Sequence, residues 1–151
     1  MTEMEKRPSA EELLRTARVI VAEATFALVS LSHSRFAEIL QNSDLSPRGS
    51  APFFVFSDKF EVTLMLDDLD FANMRAALTT AKTEIGFRLL TFDVELDFAV
   101  SGFLAIVTQV LSDAKVPVIA ASAFSRDHVL IKQDCLAEAL KALGPHVAEL
   151  C

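Results

Sequence analysis

The stretch "DFAVSGFL", residues 97–104, combines residue types that can hold a small molecule carrying a carboxylate. Gly102 separates an alternating, strand-like run from a run with apolar residues at helical spacing, which predicts a strand-to-helix turn. A helix that begins there leaves several backbone N–H groups without internal partners, and the peptide dipoles place partial positive charge on them. Because glycine has no Cβ, a ligand can approach these amides closely. We therefore expect a carboxylate to bind at this turn.

Asp97 is a second candidate at the same turn. Its carboxylate, at the end of the strand, is suited to receive an α-ammonium group while the helix amides hold the carboxylate of the same molecule. Each role has a structural alternative. Gly102 also suits close packing of helix on sheet, and Asp97 or Ser101 also suits simple capping of the helix.

Other constellations of reactive residues give little indication of catalysis or metal binding. The acidic group "DDLD", Asp67 to Asp70, is spaced like part of a cation loop but lacks the glycine and distal glutamate of an EF-hand, so we predict that it caps a helix. The three histidines form no metal-ligand spacing, and Cys135 is expected to be a buried apolar residue. We predict a protein that is not an enzyme and uses no metal or cofactor; an acid–base pair of Asp127 and His128 is the enzymatic alternative.

Composition narrows the class of protein and the kinds of partner. Hydrophobic residues make up 52% of the 151 residues, which favours a globular fold. The 14 basic and 21 acidic residues give a net charge of -7, which opposes nucleic-acid binding. The longest uncharged stretch, residues 98–112, is too short and polar to cross a membrane, and the N-terminus lacks the apolar core of a signal peptide. With only two cysteines, we expect a cytoplasmic protein.

Hydrophobic periodicity predicts alternating strands and helices. Ser9 and Glu12 form a capping pattern, which predicts a first helix from Ala10 to about Val19. Breakers in residues 42–52 predict one long loop. The remaining patterns predict strands at 25–31, 52–57, 60–66, 86–94, 116–124 and 128–132, helices at 34–41, 71–82, 102–114 and 135–143, and a short final strand within 146–150.

An internal repeat organises these elements. Equivalent residues recur at spacings of 65, 66 and 65 residues, in the pairs Pro52 and Pro117, Asp68 and Asp134, and Leu78 and Leu143. Each repeat reads βαββα, the ferredoxin-like pattern of the α+β class, whose antiparallel sheet carries helices on one face. We predict an N-terminal helical extension at 1–23, a first unit at 24–85 and a second unit at 86–151.

The second unit resembles the ACT domains. The resemblance runs from Phe87 to Leu143 and is carried by the strand start "FRLL", the helix entry "GFL", the hairpin "SAFSRDH" and the strand "HVLI". It is similar in particular to tandem ACT proteins, found as small bacterial and fungal proteins and as CASTOR-type cytosolic amino-acid sensors. The first unit resembles the family mainly in "FFVFSDKFEVTLML".

The resemblance implies a regulatory module that binds an amino acid where two ACT units meet, near the strand-to-helix turn. It also implies two ACT units packed as a pseudo-two-fold pair, and a homodimer or other homo-oligomer. Ala123 stands where the family commonly has threonine. For Ser122, Asp127 and His128, the alternative to a ligand site is an ordinary hairpin turn. The expected ligand-binding residues are Asp97, Val100, Ser101, Gly102, Phe103, Leu104, Ser122, Asp127 and His128.

Two functions follow from these patterns. The first is a regulatory, amino-acid-binding protein that acts through a ligand-dependent conformational or oligomeric change. The alternative is a structural or protein-interaction ACT module without a ligand, which docks a protein partner.

Overall fold

The computed structural model describes residues 7–151, so the first six residues of the expected N-terminal extension lie outside it. The chain is an α+β protein of alternating βαββα-like order. Its described elements are α1 (Ala10–Thr16), β1 (Arg18–Val21), β2 (Phe26–Leu31), α2 (His33–Leu40), β3 (Phe54–Ser57), β4 (Val62–Asp67), α3 (Asp68–Met74), β5 (Lys82–Asp93), α4 (Phe103–Asp113), β6 (Ile119–Ser122), β7 (Asp127–Lys132), α5 (Leu136–Leu143) and β8 (Glu149–Leu150).

The first compact unit is Ala24–Phe87. Its strands lie in the order β3-β4-β2-β5, and all these pairs are antiparallel. Alternate residues of β2 and β4 share one apolar core with Ile39 of α2 and Met74 of α3, which leaves the helices on one face of the sheet, as the ferredoxin-like pattern predicts.

The second compact unit joins the described residues up to Glu23 to Arg88–Cys151. Its strands lie in the order β6-β7-β5-β1-β8, with β1 antiparallel to β5 and parallel to β8. Ala10 and Leu14 of α1 and Val19 of β1 are buried in one core with residues of α4, α5, β5 and β7. The N-terminal segment is therefore part of this unit, in contrast to the separate extension expected from the sequence.

Strand β5 is longer than the pattern predicts. Its residues 82–87 pair with β2 in the first unit, and residues 90–93 pair with β1 in the second. Gly86 has a φ of 82°, and the pairing with β2 shifts register beside it. Glycine readily adopts a positive φ, and here it marks a bulge. Because the bulge interrupts the alternation of side chains, hydrophobic periodicity does not reveal the first half of the strand.

Several predicted elements have different bounds. Helix α1 ends at Thr16, and Val19, expected at the helix end, instead pairs with Phe92, because the β-branched run 19–21 favours a strand. Helix α3 starts earlier than predicted, at Asp68, because Asp67 caps it: the Asp67 side chain accepts a hydrogen bond from the amide of Asp70.

Burial also differs from the pattern at three apolar positions of the first unit. The helical spacing of Phe36, Ile39 and Leu40 predicts one inner face of α2, but Leu40 is 69% exposed, because Ile39 occupies the core. Alternation along residues 60–66 predicts Phe60 on the buried face and Met65 on the solvent face, but Phe60 is exposed in the turn before β4 and Met65 is buried. Alternation alone cannot distinguish these cases, since it does not show where a strand begins or what covers its second face.

The long loop of residues 42–52 is held in place by one arginine. The Arg48 guanidinium forms ion pairs with the buried carboxylates of Asp67 and Asp70, and its backbone amide also donates to Asp70. Asn73 adds a hydrogen bond from its side chain to the carbonyl of Asp44. The loop is thereby fastened to the start and the end of α3.

Within residues 7–151, no helix has both the length and the apolar character that crossing a bilayer requires.

Candidate functional site

Helix α4 starts at the glycine that the sequence marks as a binding turn. Gly102 is the N-cap residue with a φ of 88°, and its carbonyl accepts a hydrogen bond from the amide of Ile106. No side chain caps this end. Among the described residues, no acceptor pairs with the amides of Phe103, Leu104 or Ala105. The helix start therefore offers free donors and partial positive charge.

The reason for the glycine is its backbone angle. A Cβ built on Gly102 would meet no heavy atom within 4 Å. The close helix-to-sheet packing that was the structural alternative for this residue is therefore absent. What the position requires is the left-handed conformation, which costs other residues roughly 1 to 2 kcal/mol.

A cavity of about 350 Å³ opens in front of this helix start. It lies within the second unit, between the segment that leads into α4 and the hairpin joining β6 to β7. Seven of the nine residues expected from the sequence line it: Asp97, Val100, Gly102, Phe103, Leu104, Ser122 and Asp127. The folded chain thus brings together the turn and the hairpin, which are 18 or more residues apart along the sequence.

The other two expected residues do not line the cavity. Ser101 is exposed beside it. His128 is half-buried in β7, where its Nδ1 lies 2.8 Å from the hydroxyl of Thr91. Burial lowers the pKa of His128, and the nearby Arg126 lowers it further, while Asp127 opposes both. Since neighbouring strand residues point to opposite faces, His128 and Asp127 are turned away from each other.

Asp97 is exposed at the cavity and stabilises a local turn. Its carboxylate accepts a hydrogen bond of 2.8 Å from the amide of Ala99, and its carbonyl accepts one from the amide of Val100. Arg7 lies 4.0 Å away. The capping alternative is thus correct only in part: Asp97 caps the turn before Gly102, and α4 itself stays uncapped.

The β6–β7 hairpin forms the opposite wall. The hydroxyl of Ser122 donates to the Asp127 carboxylate at 2.6 Å, and the amide of Ala123 donates to the carbonyl of Arg126, which closes a four-residue turn. The amide of Leu96 donates to the carbonyl of Ser125 at 2.7 Å. This last bond ties the hairpin to the segment that enters α4, so the two walls are held at a fixed separation.

Arg126 is a cavity residue that the sequence analysis missed. Its Nε donates to the Asp93 carboxylate at 3.0 Å, and the second oxygen of Asp93 accepts from Arg18 at 2.9 Å. Hydrogen bonds from Arg18 and then Arg126 lower the pKa of Asp93. These contacts hold the Arg126 side chain in place at the cavity wall. The sequence does hold one indication that Arg126 lines the cavity, since it lies one residue before β7 and next to the expected site residue Asp127.

A larger groove does not bring the expected residues together. It has a volume of about 580 Å³ and lies along the C-terminal half of α4 and the segment that follows. Among the described residues that line it, Lys115 is the one charged residue, and none offers a carboxylate for an ammonium group. The smaller cavity, which has charges of both signs, is therefore the better candidate for a zwitterion.

The other reactive residues considered in the sequence analysis make contacts that stabilise the fold. Asp67 and Asp70 are ion-paired to Arg48, and within the described chain no group of three metal-ligating side chains is found. Cys135 is half-buried, and burial raises the pKa of its thiol. His33 lies 2.6 Å from the carbonyl of Asp58.

Comparison with known proteins adds a family and a fold. Residues 82–144, less than half of the chain, match the family described as the ACT domain. No curated protein matches the chain in sequence.

Solved structures match most of the chain at low identity. A protein from Agobacterium tumefaciens is 14% identical with a TM-score of 0.69, and the match covers 90% of this chain and 92% of that one. A protein of unknown function from Vibrio cholerae, described as a possible transport protein, is 19% identical with a TM-score of 0.68 and coverages of 91% and 95%.

The regulatory subunit of aspartate kinase from Thermus thermophilus, in its ligand-free form, has the same fold. It is 14% identical with a TM-score of 0.63, and the match covers 88% of this chain and 98% of that one. At such identities the likeness shows the fold alone. Residues 82–144 therefore resemble the ACT-domain family in sequence, and the chain shares its fold with these structures.

Proposed function

We propose that this protein is a regulatory protein that binds an amino acid in the cavity at the start of α4, without catalysing a reaction. The observation that carries the proposal is the cavity itself, which is lined by free amides of a helix start, by Arg126 and by the carboxylates of Asp97 and Asp127. A zwitterion needs donors and acceptors of this kind within one small space.

The carboxylate of the ligand binds the amides of Phe103, Leu104 and Ala105, with Arg126 as a second cationic partner. Both are donors, and the helix dipole adds to the attraction. Charge-assisted hydrogen bonds are worth roughly 1.5 to 3 kcal/mol each, so two or three of them give micromolar to millimolar affinity after the costs of association.

The ammonium group of the ligand binds the acidic side chains. Asp97 lines the cavity and keeps its Oδ2 beyond the contacts of Oδ1 with Ala99 and Arg7, and Asp127 keeps one carboxylate oxygen beyond the bond from Ser122. At about 350 Å³ the cavity lies at the lower end of ligand sites, which suits a molecule of amino-acid size.

Regulation follows from a ligand that touches both walls. The entering segment and the hairpin are joined by the bond between Leu96 and Ser125, and a ligand held by α4 and Arg126 adds a second link between them. Binding then biases a conformational or oligomeric equilibrium by its differential affinity for the two states. The tandem βαββα order and the regulatory subunit among the structures of the same fold support this role.

A non-enzymatic role fits the geometry of the one acid–base pair considered from the sequence. Asp127 faces the cavity, whereas the His128 ring contacts Thr91 and does not line the cavity. The pair therefore cannot act on one substrate molecule there.

The cytoplasm is the compartment in which we propose that the protein acts. Both cysteines are free thiols, which suits a reducing environment. Cell fractionation checks this: recovery of the protein outside the cytosolic fraction would contradict it.

Thermal unfolding in the presence of each of the twenty amino acids tests the ligand. A ligand at a hundred times its dissociation constant adds about 2.7 kcal/mol to the free energy of unfolding. For the amino acid that stabilises, we expect Arg126→Met to weaken binding about tenfold, the loss of one charge-assisted contact. The control is Arg15→Met, an exposed position outside this cavity. A flat panel of melting temperatures, or equal affinity in both variants, would contradict the proposal.

A protein-interaction module without a ligand is the second candidate. Phe98 and Phe124, one on each wall of the cavity, are 104% and 106% exposed, and exposed aromatic residues in one patch are typical of protein contacts. In this case a partner captured by the wild type is lost with Phe98→Ser and Phe124→Ser together but kept with Gly102→Val. Loss of the partner in Gly102→Val would instead favour the ligand site.

A further inference from the structure

A second cavity of the second unit lies between α1 and α4. Its volume is about 280 Å³. Five described residues line it: Glu11, Leu14 and Arg15 of α1, Ile106 of α4, and His146 of the 3₁₀ turn that follows α5. All of them belong to the second unit. None of them lines the cavity at the start of α4, so the two cavities are separate.

The spacing of the α1 residues explains why they meet this cavity together. Positions i, i+3 and i+4 of a helix are neighbours on its surface, and Glu11, Leu14 and Arg15 have this spacing. Leu14 is buried in the core of the unit, and Ile106 packs against the same core, so both offer apolar surface to the cavity. Glu11, Arg15 and His146 are exposed. The cavity therefore combines an apolar floor with charged and polar groups that water can reach.

The charged groups of this cavity have no partners in the described chain. A glutamate four residues before an arginine has the spacing at which helical ion pairs form best. Even so, within residues 7–151 no ion pair and no side-chain hydrogen bond includes Glu11 or Arg15. The His146 ring also has no hydrogen-bond partner among these residues. One carboxylate, one guanidinium and one imidazole thus line the same small space with their hydrogen-bonding capacity unused.

The geometry points to a binding site for an ω-amino carboxylate, a short methylene chain with an ammonium group at one end and a carboxylate at the other. The ammonium group binds Glu11, and the carboxylate binds Arg15 and His146 through charge-assisted hydrogen bonds. The methylene groups lie on Leu14 and Ile106. Because Glu11 and Arg15 have opposite charges, a ligand with a single charge would pair with one of them and be repelled by the other.

The spacing of Glu11 and Arg15 sets the length of the ligand. The Cβ atoms of residues four apart in a helix are about 5 to 6 Å apart. The nitrogen and the carboxyl carbon of extended 4-aminobutanoate are about 5 Å apart by standard bond lengths, whereas those of glycine are about 2.5 Å apart. 4-Aminobutanoate therefore reaches both residues at once. A cavity of about 280 Å³ lies just under the usual range for drug-sized ligands, which suits a chain of four carbons.

This site goes beyond the proposed function and does not depend on it. The proposed α-amino acid is held by the start of α4 and by Arg126, and neither lines the second cavity. A ligand of the second cavity contacts α1, α4 and the turn after α5. Its binding therefore stabilises the packing of the N-terminal helix on the unit.

Calorimetric titration of the full chain with 4-aminobutanoate tests the site. Butanoate and butylamine each lack one of the two charges, and in glycine the charges are too close together. We expect 4-aminobutanoate to bind at least tenfold more tightly than each of these three, since each loses a charge-assisted contact. No binding of 4-aminobutanoate up to about 10 mM, or equal affinity for butanoate or butylamine, would overturn the inference.

Variants of α1 locate the bound molecule. Glu11→Gln and Arg15→Met should each weaken binding of 4-aminobutanoate at least tenfold, while Arg15→Lys keeps the cation and most of the affinity. All these side chains are exposed, so the variants keep the fold, which melting temperatures check. The matched control is Glu12→Gln, exposed on the same helix and not part of the cavity wall.

Two results with these variants would overturn the second site. One is equal affinity for 4-aminobutanoate in Arg15→Met and Glu12→Gln. The other is a loss of binding in Arg126→Met with none in Arg15→Met, because the molecule would then lie in the cavity at the start of α4. A failure of the α-amino-acid panel leaves both comparisons valid, so the two proposals stand or fall separately.

Discussion

At the scale of single residues, His128 links the stability of the second unit to pH. It is half-buried in β7, and burial lowers its pKa below the usual value, with Asp127 opposing the shift and Arg126 adding to it. The folded chain therefore takes up this proton less readily than the unfolded chain does. Stability that is present above the ordinary histidine pKa, about 6.5, is lost as the pH falls below it.

We expect the free energy of unfolding to fall between pH 7.5 and 5.5, with His128 contributing at most about 1.4 kcal/mol per pH unit. His128→Asn should remove this part of the slope. The carboxylate of Asp93, whose pKa is lowered, loses its contribution only at more acidic pH, below its ordinary value of about 3.9. Urea unfolding at each pH measures the slope, and an unchanged slope in the variant would contradict the assignment.

The roles of two arginines could not be predicted from the sequence, in contrast to those of two other residues. Gly102 and Asp97 could be identified because a strand-to-helix turn has a local signature. Arg126 and Arg48 could not, since their partners lie 33 and 19 to 22 residues away and depend on how strands and helices pack. A charged residue in a loop has the same local pattern whether it is solvated or ion-paired.

At the scale of elements, α3 and the loop of residues 42–52 depend on the Arg48 clamp, which is the set of ion pairs from Arg48 to Asp67 and Asp70. Asp67 and Asp70 are 5% and 3% exposed, and Arg48 is their shared cation. A buried carboxylate without a partner is unfavourable, because its charge is removed from water. The capping role predicted from "DDLD" is thus confirmed for Asp67, and the burial of the group is an additional finding.

We expect Arg48→Met to destabilise the protein by several times the value of an exposed ion pair, which is about 1 kcal/mol or less. Adding Asp70→Asn should recover part of the loss, because it removes one unpaired charge. The control is Arg75→Met, at an exposed position of the same unit. Denaturant unfolding gives the comparison. If Arg48→Met behaved like the control, the clamp would not stabilise the fold.

The elements themselves were largely predictable, and their exceptions have physical causes. Helices α4 and α5 and strands β2 and β7 agree with their hydrophobic patterns to within about two residues, because each buries one regular face. Strand β1 was missed because it is short and directly follows a helix. The first half of β5 was missed because it is exposed and interrupted by Gly86.

At the scale of the whole molecule, net charge governs the association of copies. Each chain carries a net charge of -7, so two copies repel each other at long range. We expect any self-association of the chain to strengthen several-fold when ionic strength rises from about 0.05 to 0.5 M, since the screening length shortens about threefold, from about 14 Å to about 4 Å. Sedimentation at the two salt concentrations measures this. Weaker association at high salt would show that ion pairs hold the copies together.

The order in which the two units can fold during synthesis follows from the residue ranges that each contains. Ala24–Phe87 is one continuous segment, whereas the other unit combines residues up to Glu23 with Arg88–Cys151. Cys151 itself is bonded to β1, through its amide to Val19 and its carbonyl to Val21. On the ribosome, the continuous unit can fold while translation proceeds. The unit that holds the cavity must wait, with β1 unpaired along one side, until residue 151 has been made and has left the exit tunnel.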